Sequence, residues 1–448
     1  MRSRAQAKQN FPRFLVGTKV TACNLWSLLL LTVIFMVIGC AKLMPDPQSD
    51  LVLEEALTDA SSGKSHRLEQ TLISNEVNCI ATDADNVWIA TTAGVSRWHV
   101  KRGGWSHYTK EDGLANDAVN AVAIDGQWVW FATDEGVSRY DLRTDAIKTF
   151  RSIDGLASDK VSSIAVDSNY VWFGTDNGLN RYDKTIDSWA VRTRKDGLVS
   201  KKITTIAVES DYVWVGTGEE PRDPRDRRPE PKFKVGGVSR YHRATDSWNN
   251  YTKSDGLIDT EVSTITVAED SVWFGTENAG VSQYSKVDQT FIKTYTKTDL
   301  LKSNMITSIY ADGFQIWFGT ANAGVHRFIK PVNTWIHYTK KDGLASDHVT
   351  WITVQDNNVW FGSKEDGASR FDKVSGEWTI YGQADFLADN DVRDIARDSG
   401  GNIWMATVAG ISIYRPQTRS WEVISKEDGL TTPYIMSMHV DSRSDPAL

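Results

Sequence analysis

Cysteine is scarce in this chain, which has three in 448 residues. Cys23 lies in an N-terminal leader and Cys40 directly follows it, so Cys79 is the one cysteine expected in the folded part. An intramolecular disulfide is therefore excluded, even in an oxidising compartment. Cys79 lies in the apolar stretch 77–80, which indicates a small buried side chain rather than a reactive thiol.

The sequence also lacks a hydrophobic run long enough to cross a bilayer. The apolar run at residues 25–38 has 14 residues, whereas a spanning helix needs about 20. The leader before it carries five basic residues and no acidic one, as is typical of a signal peptide. The run ends Val37-Ile38-Gly39-Cys40, which resembles the lipobox of bacterial lipoproteins. We predict a lipoprotein signal peptide at 1–39 and an acylated Cys40; a plain signal peptide and an uncleaved anchor are the alternatives.

The lipid anchor implies an extracytoplasmic location at the membrane. Neither Ala41 nor Lys42 is an aspartate, and under the sorting rule of some bacteria this favours the outer membrane. Residues 40–70 contain Pro45, Pro47 and a polar run, which indicates a flexible tether after the lipidated cysteine. The folded part is expected to cover residues 71–448.

Positive charge is in deficit as well. The chain has 50 basic and 58 acidic residues, and removing the five basic residues of the leader leaves 45 against 58, a net charge of about −13. An acidic surface repels the phosphate backbone. We therefore expect no nucleic-acid partner.

Tryptophan, by contrast, is frequent and regularly spaced. Eight of the 18 tryptophans recur at intervals of 42, 42, 42, 59, 44, 43 and 44 residues: Trp88, Trp130, Trp172, Trp214, Trp273, Trp317, Trp360 and Trp404. A period of about 40–45 residues with strand-like content is typical of propeller blades. We predict an all-β fold, a single β-propeller of eight blades with four antiparallel strands each. Seven blades with an irregular edge is the alternative, and a ninth first-strand copy at 434–441 could close the ring or cap a blade.

Comparison of the copies assigns roles to the repeated residues. The glycine that opens the third strand occurs in all eight copies, which predicts a backbone with positive φ. The glycine two residues after the tryptophan is alanine in three copies, so small size is its requirement. The eight tryptophans are predicted to pack in the second strand of each blade, and an arginine that precedes the third-strand aromatic in six copies to stack on an aromatic between blades.

The phrase Asp-Gly-Leu, an apolar strand, and then Val-Trp-Phe-Gly-Thr-x-x-Gly-Val-Ser-Arg-Tyr-Asp resembles the two-component regulator propeller repeat. Copies extend over residues 71–441. The resemblance implies an extracytoplasmic, ligand-binding sensor propeller, which in that family often precedes an immunoglobulin-like module, a membrane helix and a histidine kinase. None of these modules follows in this sequence, so the binding scaffold is what the resemblance carries over.

Strand order predicts where a site would lie. In a meander that runs outward, the loops from the fourth strand to the next blade and from the second to the third strand emerge on one face. The 59-residue interval places an insertion, residues 218–234, in one of these loops. Its Arg225, Arg227 and Arg228 are candidate ligand-binding or partner-binding residues, and a neutral solvated loop is the alternative.

Polar residues begin the first strands at the mouth of the same face. Asp117, Asp159 and Asp347 are candidates for holding a cation or sugar hydroxyls, with turn capping as the favoured alternative. Trp351 and Tyr310 are the bulky aromatics inside first strands, and with His348 they form a candidate stacking platform. No cofactor or metal site is predicted.

The histidines test for catalysis. Six of the eight histidines, His99, His107, His242, His326, His337 and His348, scatter over different blades by repeat register, and no Ser/His/Asp set, metal-ligand cluster or phosphate loop is recognisable. We therefore predict a non-enzymatic propeller that recognises a ligand, such as a glycan fragment, for a separate signalling partner. An assembly scaffold that binds another envelope protein is the first alternative, and a propeller lyase is the second.

Overall fold

The computed structural model describes residues 72–74, 76–83, 85–99, 104–220, 236–398 and 400–424. The predictions for the signal peptide, the lipidated Cys40 and the tether lie outside these residues. So do those for Arg225, Arg227 and Arg228 and for the additional strand at 434–441.

The first four blades are four-stranded antiparallel sheets, each formed by one continuous stretch of chain. Blade 1 has β1 (Val77–Thr82), β2 (Asn86–Thr91), β3 (Gly94–His99) and β4 (Trp105–Tyr108). Blade 2 has β5 (Val119–Asp125), β6 (Trp128–Thr133), β7 (Gly136–Asp141) and β8 (Ile147–Phe150). Blade 3 has β9 (Val161–Val166), β10 (Tyr170–Thr175), β11 (Gly178–Asp183) and β12 (Ser188–Arg192). Blade 4 has β13 (Ile203–Val208), β14 (Tyr212–Thr217), β15 (Val238–His242) and β16 (Ser247–Tyr251).

The last four blades repeat the same order of strands. Blade 5 has β17 (Val262–Val267), β18 (Ser271–Thr276), β19 (Val281–Ser285) and β20 (Thr290–Tyr295). Blade 6 has β21 (Ile306–Asp312), β22 (Gln315–Thr320), β23 (Val325–Ile329) and β24 (Thr334–Tyr338). Blade 7 has β25 (Val349–Gln355), β26 (Asn358–Ser363), β27 (Ala368–Asp372) and β28 (Trp378–Tyr381). Blade 8 has β29 (Val392–Arg397), β30 (Ile403–Thr407), β31 (Gly410–Arg415) and β32 (Ser420–Ile424).

The first strand of each blade is the innermost one, because these strands contact one another around a ring. The ring closes where β29 of blade 8 contacts β1 of blade 1. At six interfaces a polar side chain near the start of one inner strand also donates a hydrogen bond to a backbone carbonyl of the next, namely from Asn78, Asn120, Ser162, Thr204, Ser263 and Thr350. The prediction of an all-β propeller with eight blades is confirmed, and the seven-blade alternative is wrong.

The hydrophobic core is divided among the interfaces between blades. Each adjacent pair of blades shares one cluster of buried side chains. All eight repeat tryptophans lie in second strands and are at most 3% exposed. Their predicted packing role is confirmed, so these residues account for the fold and leave no aromatic surface for a ligand.

The repeated arginines stack on aromatic rings, as predicted. The guanidinium of Arg139 lies 4.2 Å from the ring centroid of Trp128, and that of Arg97 lies 4.8 Å from Trp88. Arg97 also donates to the hydroxyl of Tyr140 in the next blade at 2.6 Å. The guanidinium of Arg97 also lies 5.5 Å from the ring centroid of Tyr140, so this residue joins blades 1 and 2 through both cation–π attraction and a hydrogen bond.

The Asp-Gly-Leu phrase forms a self-capping turn between blades. Six such turns contain short 3₁₀ helices, Lys110–Asp112, Ser152–Asp154, Arg194–Asp196, Lys253–Asp255, Lys340–Asp342 and Gln383–Asp385, and a seventh such helix, Lys330–Val332, lies within blade 6. In the first of them, Asp112 accepts the N–H of Thr109 at 3.0 Å, Gly113 has φ 112°, and Leu114 is buried. Where Phe386 replaces the glycine, it takes the same left-handed conformation at φ 82°.

The two kinds of glycine give a direct stability test in blade 6. Gly324 opens the third strand at φ 71°, and a Cβ there would lie 2.2 Å from the carbonyl oxygen of Tyr338. At Gly319, two after the tryptophan, φ is not positive and a Cβ would first meet Val349 at 3.0 Å. We expect Gly324→Ala to lower the free energy of unfolding by about 1–3 kcal/mol more than Gly319→Ala. Equal shifts in urea unfolding would contradict this distinction.

Candidate functional site

The face that carries the Asp-Gly-Leu turns is called the motif face here. Ion pairs between Lys110 and Glu135 at 2.8 Å and between Lys340 and Asp366 at 3.0 Å join these turns to loops between second and third strands. Both sets of loops therefore share one face, as the strand order predicts. The turns between first and second strands and between third and fourth strands form the opposite face.

The polar residues at the mouth of the motif face bind backbone amides. Asp117 accepts the N–H of Lys110 at 2.6 Å, and Asp159 accepts that of Ser152 at 2.5 Å. Asp347 accepts the N–H of Lys340 at 2.9 Å. Asn304 and Asn390 make the same bond to the turns before their own strands. One oxygen of each side chain is thus engaged in turn capping.

The three residues of the predicted stacking platform lie in separate surroundings. Trp351 packs against the cluster between blades 7 and 8, whereas Tyr310 packs against the cluster between blades 6 and 7. His348 precedes the inner strand of blade 7 at the motif face and is half-buried. Burial and nearby Asp312 raise the pKa of Tyr310, with an opposing effect from Arg397. The two aromatics therefore pack at neighbouring interfaces between blades.

Two histidines meet in blade 6, although repeat register suggested that the histidines scatter. The rings of His326 and His337 stack at 4.3 Å with 11° between their planes. Nε2 of His326 accepts the N–H of Lys302 at 3.2 Å, and burial lowers the pKa of His326 to about 3. The stacked rings and the hydrogen bond of His326 to a backbone amide indicate a packing role for this pair.

The opposite face carries a repeated ion pair between blades. A basic residue in the turn after the third strand approaches a carboxylate near the end of the preceding blade's inner strand. Five successive interfaces have this pair: Lys184 with Asp125, Arg243 with Asp167 at 3.2 Å, Lys286 with Glu209 at 2.8 Å, Lys330 with Asp270 at 2.8 Å and Lys373 with Asp312 at 2.7 Å. Blades 2 to 7 are joined in this way.

The interface between blades 7 and 8 breaks this pattern on both sides. Strand register places Gln355 where blade 6 has Asp312, and Pro416 where blade 7 has Lys373. The ion pair is therefore replaced by a neutral amide and a residue without a cation. A cleft of about 410 Å³ lies there, lined by Gln355, Asp356, Arg397, Gly400, Gly401, Pro416 and Gln417.

Arg397 is a further departure from the repeat in this cleft. The other seven blades have an apolar residue or threonine at its register, namely Thr82, Ile124, Val166, Val208, Val267, Ala311 and Val354. Arg397 reaches back to Asp356 at 3.3 Å. Its Nε is buried and has no hydrogen-bond partner among the described residues.

Gln355 is one of the residues that line the cleft. Its side-chain amide donates to the carbonyl of Gly401, and the residue is 6% exposed. Its Oε1 has no hydrogen-bond partner in the described part of the chain. An unpaired buried oxygen is unfavourable by about 1–3 kcal/mol, so such atoms often mark a place where something else binds.

The described residues contain no group of three or more His, Cys, Asp or Glu side chains arranged to hold a metal ion. Within the same ranges, no helix has the length and apolar character needed to cross a membrane.

The cleft between blades 7 and 8 is a candidate site that sequence reasoning missed. The signal that could have found it is the replacement of both members of the repeated ion pair, by Gln355 and Pro416, at an interface where five others keep the pair.

This fold and these turns define the class of protein as an eight-bladed β-propeller. The family model described as "Two component regulator propeller" matches residues 71–93 and 387–409, which include the second-strand phrases of blades 1 and 8. The predicted resemblance is confirmed: the chain carries two-component regulator propeller repeats. No curated protein matches its sequence.

Solved structures are similar to this chain at low sequence identity. The computationally designed Ika8 protein is 13% identical with a TM-score of 0.58, over 77% of this chain and 98% of its own. The extracellular domain of the hybrid two component system BT3049 from B. thetaiotaomicron is 18% identical with a TM-score of 0.36, over 83% of this chain. PorZ, a surface component of the type-IX secretion system of Porphyromonas gingivalis, is 12% identical with a TM-score of 0.41, over 80%. The chain spans 61% and 60% of these last two proteins.

Proposed function

We propose that this chain is an extracytoplasmic β-propeller, tethered to the outer membrane by lipid on Cys40, that binds a small ligand in sensing and does no chemistry itself. The observation that carries the proposal is the break in the repeat between blades 7 and 8. Elsewhere the repeated tryptophans and arginines are engaged in packing and the aspartates in capping turns. At this interface Oε1 of Gln355 has no hydrogen-bond partner among the described residues, and its side chain lines a cleft.

The family repeat supports the sensing role, and the leader pattern supports the location. Two-component regulator propellers act as input regions, so a ligand bound by this chain would be reported to a separate signalling partner. A glycan fragment is one candidate ligand, because carboxylate, guanidinium and amide groups can all bond sugar hydroxyls.

A second candidate function is an interaction scaffold in the cell envelope. Large apolar side chains are exposed in turns of the opposite face, in blades 3, 5, 6 and 7: Ile186, Val287, Phe314, Val332 and Val374. Exposed apolar surface of this kind favours contact with another protein.

A ligand screen and a crosslinking experiment together test these functions. We expect a small ligand to raise the melting temperature of the purified full chain. At a ligand concentration a hundred times Kd, the free energy of unfolding should increase by about 2.7 kcal/mol. Crosslinking of the membrane-bound chain, with Cys40→Ser as the unlipidated control, identifies neighbouring envelope proteins. If oligosaccharides and other small molecules shift nothing while one envelope protein is recovered only with the lipidated chain, the scaffold replaces the sensor.

A further inference from the structure

We propose that the cleft between blades 7 and 8 binds the head group of a free α-amino acid. The inference rests on the proposed function, namely that the chain recognises a small ligand, and it names both the site and the chemical class. The ligand's ammonium group takes the place of the basic side chain that five other interfaces have. Its carboxylate binds Arg397.

The ammonium position follows from the neighbouring interface. Between blades 6 and 7, Nζ of Lys373 lies 2.7 Å from Asp312 and fills the space between the two blades. Between blades 7 and 8, Pro416 has no cation to place there, and Oε1 of Gln355 is left without a donor. The torsion that orients a glutamine amide is soft, so this oxygen can turn to an incoming N–H. Asp356, whose side chain is 71% exposed, supplies the negative charge beside it.

The carboxylate position follows from Arg397. No other blade has a cation at this register, and the guanidinium lines the cleft with its side chain 39% exposed. A guanidinium binds a carboxylate through two parallel hydrogen bonds. An α-amino acid carries its ammonium and carboxylate on one carbon, so both can reach the adjacent side chains of Asp356 and Arg397, which lie 3.3 Å apart.

Charge balance separates this ligand class from the others. A simple anion would face Asp356, and a simple cation would face Arg397, so a ligand with one charge is repelled by one wall. A zwitterion is attracted by both. The volume of about 410 Å³ is within the range of about 300–1,000 Å³ for small-molecule sites and leaves room for a side chain.

The test is calorimetric titration and thermal shift of the purified full chain with the twenty protein amino acids. We expect at least one to bind, and its N-acetyl and carboxamide derivatives to bind about tenfold more weakly or worse, because each removes one charge. Arg397→Val, which installs the residue of blades 3, 4, 5 and 7, should abolish binding without unfolding the blade. The double variant Gln355→Asp with Pro416→Lys should restore the repeat's ion pair and also abolish binding.

Val374→Lys is the control for the added lysine, since it introduces the same cation as Pro416→Lys at an exposed turn of blade 7 and should leave binding unchanged. Amino-acid binding that survives Arg397→Val and the double variant would overturn the site. Binding of neutral sugars instead, lost in the double variant, would overturn the amino-acid class but leave the proposed function standing. If no small ligand binds, the amino-acid site and the proposed ligand-binding function are both wrong.

Discussion

Replacing Arg240 with alanine is expected to lower the free energy of unfolding by about 2–4 kcal/mol. Its guanidinium lies 4.5 Å from the ring centroid of Tyr212 and donates to the hydroxyl of Tyr284 in the next blade at 2.8 Å. It also donates to Gln289, and the residue is 8% exposed. Truncation would leave a cavity and two polar groups without their donor at the interface between blades 4 and 5. Urea unfolding of the full chain measures the loss.

Two further variants separate the blade-joining role from general packing. Arg240→Lys should recover little stability, because an ammonium cannot stack flat on a ring or donate in the same fork. Arg370→Ala should be milder by about 1 kcal/mol or more, since Arg370 donates to Thr379 within its own blade and lies 6.0 Å from Trp360. Equal losses for Arg240→Ala and Arg370→Ala would contradict the cross-blade role.

The architecture was predictable because repetition multiplies a weak signal. One Val-Trp-Phe-Gly-Thr phrase is an ordinary strand, but eight copies, at intervals of 42–44 residues with one of 59, favour eight blades and indicate the strand that carries each tryptophan. The same comparison separated Gly324 from Gly319, because substitution between copies shows which positions tolerate a Cβ. The turn aspartates were harder to assign, since Asp117 and Asp347 have the same residue type whether they cap a turn or bind a ligand.

The cleft between blades 7 and 8 was not predictable from the unusual side chains in the repeat. His348, Trp351 and Tyr310 stand out by size or chemistry, yet their spatial relation depends on how far along each inner strand they lie. Gln355 and Pro416 are inconspicuous as residues. Their importance comes from the ion pair that they replace, and that pair joins residues about 60 positions apart, such as Asp312 and Lys373. The ion pair can be recognised only when the positions of the strands in neighbouring blades are known.

Another departure from the repeat lies where the ring closes. Asp394 occupies the register of Cys79, Ala121, Ser163, Thr205, Thr264, Ser308 and Trp351 in the other blades. Its Oδ2 accepts the N–H of Ile80 in blade 1 at 3.3 Å, while its Oδ1 is buried without a partner in the described part of the chain. Burial raises the pKa of Asp394 to about 6. Burial, and to a lesser degree Asp394, raises the pKa of the neighbouring Cys79 thiol to about 12, which makes that thiol unreactive.

The raised pKa makes the stability contribution of Asp394 depend on pH. The carboxyl releases its proton near pH 3.8 when unfolded and near pH 6 when folded. The folded state is thus favoured by this group below pH 4, and the advantage is lost as the pH rises through 6. Relative to Asp394→Asn, the wild-type chain should lose about 2–2.5 kcal/mol of unfolding free energy between pH 4 and pH 7. Urea unfolding of both proteins at the two pH values measures this difference.

Asp372→Asn provides a control of opposite sign. Asp372 accepts the N–H groups of Val374 at 2.7 Å and Ser375 at 3.1 Å, and these bonds lower its pKa. Its stabilising contribution is therefore present at neutral pH and lost in acid, so Asp372→Asn should be most harmful at pH 7, where Asp394→Asn is most favourable. If Asp394→Asn changes the free energy of unfolding equally at both pH values, folding does not raise the pKa of Asp394.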